Sequence, residues 1–134
     1  MTTTQKGNRN ENEAKDIHKR VYGAGVEKVD AYTNHDPFGF IDIIAINSDK
    51  PVKFIQVKTN NFTAEHKRKY KQRLRHCPTE HANFEVWVRV DRVGWNIYTP
   101  NEDMGFEKIA EIHECDTSKA REEYADLVEE GLLS

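Results

Sequence analysis

The chain has 134 residues, 37% of them hydrophobic and 32% charged, and its formal net charge at pH 7 is −3. This length suffices for one continuous core, so we expect a single domain over residues 1–134, with a flexible start over residues 1–6. The hydrophobic content excludes a disordered chain, and the lack of a long apolar stretch excludes a membrane span and a secretory signal, so the expected location is cytoplasmic.

Helical and strand patterns alternate along the chain. Apolar residues recur at helical spacing near both ends, and short apolar runs between them indicate strands. The predicted elements are, in order, a helix over 10–22, strands over 26–33, 40–46 and 52–59, a helix over 63–76, strands over 84–90, 94–99 and 106–112, and a helix from Thr117 as N-cap to near Gly131. This order predicts an α/β fold with a mixed central β-sheet flanked by helices.

Three polar residues interrupt the apolar pattern of the second and third predicted strands. Asp42 is the one charge in the run 40–46, where an unpaired carboxylate is costly to bury. Gln56 and Lys58 share one face of the next strand with Val52 and Phe54. If the two strands pair as an antiparallel hairpin, Asp42 opposes roughly Gln56, and an acid, an amide oxygen and an ammonium group converge.

This group of side chains suits the hydrolysis of a phosphodiester. The reaction needs oxygen ligands for Mg²⁺, which polarises the phosphate and lowers the pKa of a bound water, and a cation near the attacking oxygen. Asp42, Gln56 and Lys58 supply these parts. Each residue alone is equally well explained by a structural role, whereas the constellation favours a nuclease site.

Four segments carry a family resemblance, which is good over residues 6–60 and looser beyond them. They are KGNRNE at 6–11, GFIDIIAI at 39–46, FIQVK at 54–58 and, more weakly, VGW at 93–95. In these segments the chain resembles the archaeal-type Holliday junction resolvases of the PD-(D/E)XK nuclease superfamily. The resemblance implies a restriction-endonuclease-like core and a Mg²⁺-dependent endodeoxyribonuclease of DNA recombination and repair, with Mn²⁺ as a substitute metal.

The resemblance also implies a role for each matching position. These roles are Glu11 as a helix-borne catalytic acid and metal ligand, Asp42 as the central metal ligand, Gln56 as the second ligand, the Val57 carbonyl as a further ligand and Lys58 as the catalytic lysine. The helical pattern by itself leaves Glu11 and Glu13 open, because they flank the apolar stripe on opposite sides. The choice of Glu11 comes from the family's spacing.

Two departures from the family pattern bear on the chemistry. The family carries a carboxylate where Gln56 stands, and an amide offers the metal one oxygen and no charge, so we expect weaker metal binding. Glutamine at this position also resembles restriction enzymes that cleave modified DNA, so a restriction or repair nuclease is the alternative within this class. The loop before Asp42 has Thr33 where the resolvases carry a functional serine.

The charge distribution permits a nucleic-acid partner. Residues 101–134 carry 11 acidic and 3 basic residues, a net charge of −8, whereas residues 1–100 carry +5. Segment 67–75 has six cations in nine residues. A solvated helix face explains them almost as well, but like charges four residues apart destabilise a helix and favour an anionic partner. The predicted DNA-binding residues are Lys6, Arg9, Lys67, Arg68, Lys71 and Arg75.

The expected partner is branched DNA or a four-way junction, cut by a homodimer because two coordinated cuts need two active sites. A nuclease-fold module that binds nucleic acid without cleaving it is the alternative from a different class. The remaining reactive residues predict no further site: Cys77 and Cys115 are interpreted as ordinary thiols, the six histidines as surface or packing residues, and Trp87, Trp95 and Tyr98 as structural.

Overall fold

A computed structural model describes residues 2–29, 41–75, 82–101 and 105–134 of the protein. Within these ranges six strands form one sheet, in which their order follows the chain. The strands are β1 (Val26–Lys28), β2 (Ile43–Asn47), β3 (Lys50–Thr59), β4 (Ala82–Val90), β5 (Gly94–Pro100) and β6 (Phe106–Ile112), and the helices are α1 (Thr3–Tyr22), α2 (Ala64–Leu74) and α3 (Thr117–Glu129). β3 and β4 run parallel, and the other neighbouring pairs are antiparallel. The predicted α/β class with a mixed sheet flanked by helices is confirmed.

Helices cover both faces of this sheet. On one face α1 and α3 pack against β3 and β4, and Ile17, Tyr124, Ile55 and Trp87 are fully buried there. On the other face α2 contributes Tyr70 to a second, smaller core. Because successive side chains of a strand point to opposite faces, β3 and β4 supply residues to both cores.

The first helix begins seven residues before its predicted start near Asn10. The Thr2 hydroxyl accepts a hydrogen bond from the Gln5 amide over 3.1 Å, and the Gln5 side chain accepts one from the Thr2 amide over 2.9 Å. This reciprocal capping box satisfies N–H groups that the start of a helix leaves without partners. Of the residues expected to be a flexible start, residues 2–6 therefore form the cap and first turn of α1.

The other element boundaries differ from prediction by smaller amounts. The N-cap of α3 is Asp116 rather than Thr117, because its carboxylate accepts hydrogen bonds from the amides of Ser118 and Lys119. α2 ends at Leu74, two residues before the predicted end. Of the predicted strand over 26–33, residues 26–28 form β1, while residues 30–40, including Thr33, lie outside the described residues.

Gly94 stands at a point where two strands approach too closely for a side chain. It has a φ of 140°, and a Cβ there would lie 1.9 Å from the carbonyl oxygen of Ile112 in the neighbouring β6. Glycine is required on both counts. Trp95, which follows it, and Trp87 are buried in the core as predicted. No helix of the described residues is long and apolar enough to cross a membrane.

Candidate active site

The β2–β3 hairpin brings Asp42 opposite Gln56. Its register pairs Ile43 with Ile55 and Ile44 with Phe54, so the next position outward pairs Asp42 with Gln56. The amide of Asp42 donates a hydrogen bond to the carbonyl oxygen of Ile55 over 2.9 Å, which continues the pairing one residue beyond the end of β2. The predicted antiparallel pairing of these two segments is confirmed.

Backbone groups of two neighbouring strands hold Asp42 in place. Its Oδ2 accepts a hydrogen bond from the Val57 amide over 2.9 Å, and its carbonyl oxygen accepts one from the Val29 amide over 2.8 Å. Because the N–H and C=O of a strand residue point toward the same neighbouring strand, the Val57 carbonyl faces the Asp42 side of β3 as well. The carboxylate and this carbonyl therefore lie at the same edge.

Gln56 has a buried amide oxygen that lacks a partner. In the described part of the chain no group donates a hydrogen bond to its Oε1, although this atom is shielded from solvent. Leaving a buried acceptor unsatisfied costs about 1–3 kcal/mol, so native structures rarely keep one without a reason. A cation or a bound water beside Asp42 would satisfy this oxygen.

Lys58 lies two residues further along β3, on the same face as Gln56. Burial lowers the pKa of its ammonium group, the Asp42 carboxylate raises that pKa, and Lys69 lowers it again. The pKa of His66, in the first turn of α2, is lowered first by burial and then by the positive charge of Lys58. The first turn of α2 therefore lies beside Lys58. Asp42, Gln56, Val57 and Lys58 are thus brought together by one hairpin.

Glu11 is placed at the same end of the sheet but on the opposite face. The preceding residue, Asn10, is fully buried and donates a hydrogen bond from Nδ2 to Oγ1 of Thr59 over 2.8 Å, which ties this turn of α1 to the end of β3. Burial raises the pKa of the Glu11 carboxyl, and Lys28 of β1 opposes that change. Glu11 therefore lies on the α1 face of the sheet, whereas the side chains of Asp42, Gln56 and Lys58 lie on the α2 face.

The other candidate acid, Glu13, has a structural role. Its carboxylate lies 3.3 Å from Nε of Arg89 in β4 and 3.9 Å from Nε of Arg9. The Glu13 carboxylate is thus shared by two guanidinium groups, whereas Glu11 forms no ion pair among the described residues. The choice of Glu11 as the catalytic acid stays a prediction.

The donors at the hairpin fit a hard cation. They are a carboxylate, an amide oxygen and a backbone carbonyl, and an all-oxygen set suits Mg²⁺ or Mn²⁺ rather than Zn²⁺. Among the described residues no group of three His, Cys, Asp or Glu side chains could hold a metal ion. The hairpin contributes a single carboxylate, that of Asp42, because an amide stands at position 56.

Several of the predicted DNA-binding residues have partners within the protein. Lys67 lies over the rings of Phe62 and Tyr98, at 5.3 and 5.7 Å from their centroids. The ammonium group of Lys71 donates a hydrogen bond to the carbonyl of Asn101 over 2.7 Å. These contacts of the two lysines anchor α2, while Arg68 of α2 and Arg75 at its C-cap are exposed. Lys6 forms an ion pair with Asp91, and Arg9 shares Glu13.

The sequence interpretation missed Asn10 and the polar residues buried on the α1 face. Asn10 precedes Ala14 and Ile17 by four and seven residues, so helical spacing already put it on the buried stripe. Lys53 of β3 is fully buried, with its ammonium group 2.6 Å from the carboxylate of Glu85 in β4. No local pattern reveals that pair, because it depends on the parallel register of two strands separated by α2.

No protein-family model and no curated protein matches this chain. Among solved structures, the chain is similar to Hjc, a Holliday junction resolvase from the archaeal hyperthermophile Archaeoglobus fulgidus. The sequence identity is 22%, the similarity covers 78% of this chain and 83% of that chain, and the TM-score is 0.43. A similarity at this level carries no inference about the reaction, so the interpretation of the site rests on the residues described above.

Proposed function

We propose that the protein is a metal-dependent DNA endonuclease whose active site is the outer end of the β2–β3 hairpin. The observation that carries the proposal is the buried Oε1 of Gln56, which has no hydrogen-bond partner among the described residues, beside the Asp42 carboxylate and the half-buried Lys58. A protein gains no stability from such an arrangement unless a ligand completes it. Mg²⁺ with a phosphodiester is the ligand pair that these donors fit.

Each residue of the hairpin has a defined task in this proposal. Asp42, Gln56 and the Val57 carbonyl would hold the metal, with Glu11 as a more distant acid. A bound Mg²⁺ would supply Lewis-acid polarisation of the phosphate and a more acidic water. Lys58 donates hydrogen bonds to a phosphate oxygen and stabilises the negative charge that develops there. The Val57 amide holds the Asp42 carboxylate in position through its hydrogen bond to Oδ2.

The neutral Gln56 makes metal affinity the sharpest test of this assignment. Replacing Gln56→Glu restores a second negative charge at an unchanged position, so Mg²⁺ binding measured by calorimetry is expected to tighten by about tenfold or more. Asp42→Asn, a matched neutral change, is expected to abolish it. If both variants bind Mg²⁺ as the parent chain does, the metal site lies elsewhere.

The substrate we propose is branched DNA, with a four-way junction as the leading form and a restriction or repair substrate as the alternative. A homodimer would supply the two active sites that paired cuts need, and it is checked by light scattering on the purified chain. Labelled junction and linear duplex are incubated with Mg²⁺, with Mn²⁺ and with EDTA. We expect symmetric cuts in the junction with either metal, none with EDTA, and none with Asp42→Asn.

A non-cleaving nucleic-acid-binding module is the second candidate. The same Gln56 favours it, because losing one of two metal-binding carboxylates is a direct route to an inactive nuclease fold. Tight binding of junction or duplex without cuts in Mg²⁺ and in Mn²⁺ would establish this candidate. Cleavage gained by Gln56→Glu in that case would identify the missing charge as the cause.

A further inference from the structure

A second cluster of cations lies on the α1 face of the sheet, beyond the ends of β3 and β4. A surface cavity of about 550 Å³ is lined there by Lys6, Arg9, Arg89, Asp91, Arg92 and Cys115. Asp91 neutralises one cation and Glu13, shared by Arg89 and Arg9, neutralises another. The four cations therefore exceed the two acids by two positive charges. Such a surplus around a cavity attracts an anion.

Arg89 forms the floor of this cavity. Its side chain is only 9% exposed, and its guanidinium group lies 5.8 Å from the centroid of the Trp95 ring. Nε donates a hydrogen bond to Glu13, and Nη1 donates to the Val90 carbonyl and the Cys115 sulfur. Nη2 has no partner in the described part of the chain. A fixed guanidinium with unused donors is suited to a phosphate oxygen.

Arg92 occupies a strained backbone position at the rim. Its φ is 66°, in the left-handed region that a residue with a side chain adopts at a cost and that glycine adopts freely. It lies at the tip of the β4–β5 hairpin, is exposed, and forms no ion pair among the described residues. Strain at such a position is a sign of function, because a glycine there would be the more stable choice.

Hydrogen bonds join this cavity to the end of β3, two residues beyond the candidate catalytic lysine. Asn60, two residues after Lys58, donates from its amide to the Arg89 carbonyl over 2.8 Å. Its side chain exchanges two hydrogen bonds with Asp91, over 3.0 and 2.9 Å. Two strand residues span about 7 Å. The phosphates of each strand of a duplex recur about every 3.4 Å of helix axis, so a backbone that passes this end of the sheet would reach Lys58 on the α2 face and the cavity on the α1 face within a few nucleotides.

We infer that the cavity between α1 and the β4–β5 hairpin is a second phosphate-binding site, which holds a backbone phosphate of the nucleic acid a few nucleotides from the one at Lys58. Arg89 is the fixed floor of the site, and Arg9 and Arg92 bind from its rim. This inference rests on the proposed function for its partner, but the cation cluster stands without it. Contacts to backbone phosphate position the strand and carry no sequence preference.

The test measures DNA affinity against salt concentration in EDTA, where no cleavage can occur. Arg92→Gln and Arg9→Gln are each expected to reduce the slope of log K against log[salt] by about 0.9. Arg92→Lys keeps the charge and is expected to keep the slope. Lys19→Gln removes an equal charge from the far end of α1, about 15 Å from Arg9, and should leave the slope near that of the parent chain.

Backbone strain gives a second readout. Arg92→Gly loses the cation but relieves the left-handed conformation, so its Tm is expected to equal or exceed that of the parent chain while its DNA affinity falls. Lower affinity with lower Tm would show that Arg92 acts through folding and would overturn the inference. An unchanged salt slope in both Arg92→Gln and Arg9→Gln would overturn it as well.

Cys115 reports the occupancy of the cavity directly. In a Cys77→Ser chain, alkylation of the remaining thiol is expected to slow several-fold in the presence of duplex DNA, and to be unaffected by inorganic phosphate at the same phosphate concentration. Protection by inorganic phosphate alone would mean a site for a small anion and would overturn the nucleic-acid partner. If the chain does not cleave DNA but the salt slopes and the alkylation rate change as expected, the nuclease proposal fails and the second phosphate-binding site stands. If the chain cleaves DNA but neither quantity changes, the second site fails and the nuclease proposal stands.

Discussion

Two lysines of the same strand differ in the partners that surround their ammonium groups. Lys53 and Lys58 are both in β3, five residues apart and on opposite faces of the sheet. Burial lowers the pKa of each. The ammonium group of Lys53 lies 2.6 Å from Glu85, and it donates to the Tyr124 hydroxyl over 3.3 Å and to the Ser134 carbonyl over 3.0 Å.

Lys58 has no such set of partners among the described residues. Asp42 acts on it through space, while the Asp42 carboxylate itself binds the Val57 amide. A satisfied buried charge fixes a structure, whereas a half-buried charge with unused donors lowers stability until a ligand arrives. We therefore assign Lys53 to a structural ion pair and Lys58 to the candidate catalytic group, although both are lysines of the same strand.

The largest effect is expected at the structural lysine. Lys53→Met keeps the length of the side chain but leaves the Glu85 carboxylate buried without its cation, which costs about 3–5 kcal/mol of unfolding free energy. Urea denaturation measures this loss. The double variant Lys53→Met with Glu85→Gln removes both charges and is expected to recover a large part of it. If the single variant is as stable as the parent chain, the pair is not a structural element.

The second effect is expected at the candidate catalytic lysine, where cleavage slows but stability does not fall. Lys58→Met removes a donor to the phosphate, so single-turnover cleavage is expected to slow about 10²–10³-fold. Unfolding free energy should stay within about 0.5 kcal/mol of the parent chain or rise, because a half-buried charge is lost. Normal cleavage combined with lower stability would assign Lys58 the role that we give to Lys53.

The smallest effect is a dependence of stability on pH around Lys53. The buried His18 ring has a pKa held well below its ordinary value, first by burial and then by the charge of Lys53. Below about pH 6.5 the unfolded chain takes up this proton and the folded chain does not, so unfolding free energy falls by up to about 1.4 kcal/mol per pH unit.

Urea denaturation at successive pH values checks this slope, with His18→Gln as the control that should lack it. The folded-state pKa is depressed, so stability is retained above the unfolded pKa and lost on acidification. In the Lys53→Met chain the acid slope is expected to begin to level off at a higher pH, because one of the two causes of the depressed pKa is gone. An unchanged slope in His18→Gln would assign the effect to other groups.

Much of the candidate site could be predicted from local patterns. Alternation along β3 put Gln56 and Lys58 on one face, and the short turn before it placed Asp42 within one residue of its partner. A register shift between Ala45 and Asn47 makes that partner Gln56. Both signals span only a few residues. The cap of α1 was also visible as Thr2 and Gln5 at the spacing of a capping box. The polar composition of this segment instead led us to predict a flexible start, but the two hydrogen bonds of the capping box are present in the structure.

What the sequence did not reveal depends on contacts between distant segments. Lys53 alternates with apolar neighbours, and a lysine in that setting ordinarily extends its ammonium group to water. Its burial requires Glu85, which reaches it only because β3 and β4 pair in parallel across α2. The cation cluster around Arg89 has the same origin, since α1, β4 and the β4–β5 hairpin each contribute to it.

The hydrogen bond from the Val57 amide to Asp42 has a further consequence for observation in solution. The proton of this bond belongs to a central strand, where amides exchange with solvent only through large openings. Its acceptor, however, is an atom of the candidate site. A ligand that binds the carboxylate oxygen is expected to change the resonance frequency of that amide proton. The Val57 amide is therefore an intrinsic spectroscopic sensor of the site, readable in an unmodified chain before any strand is cut.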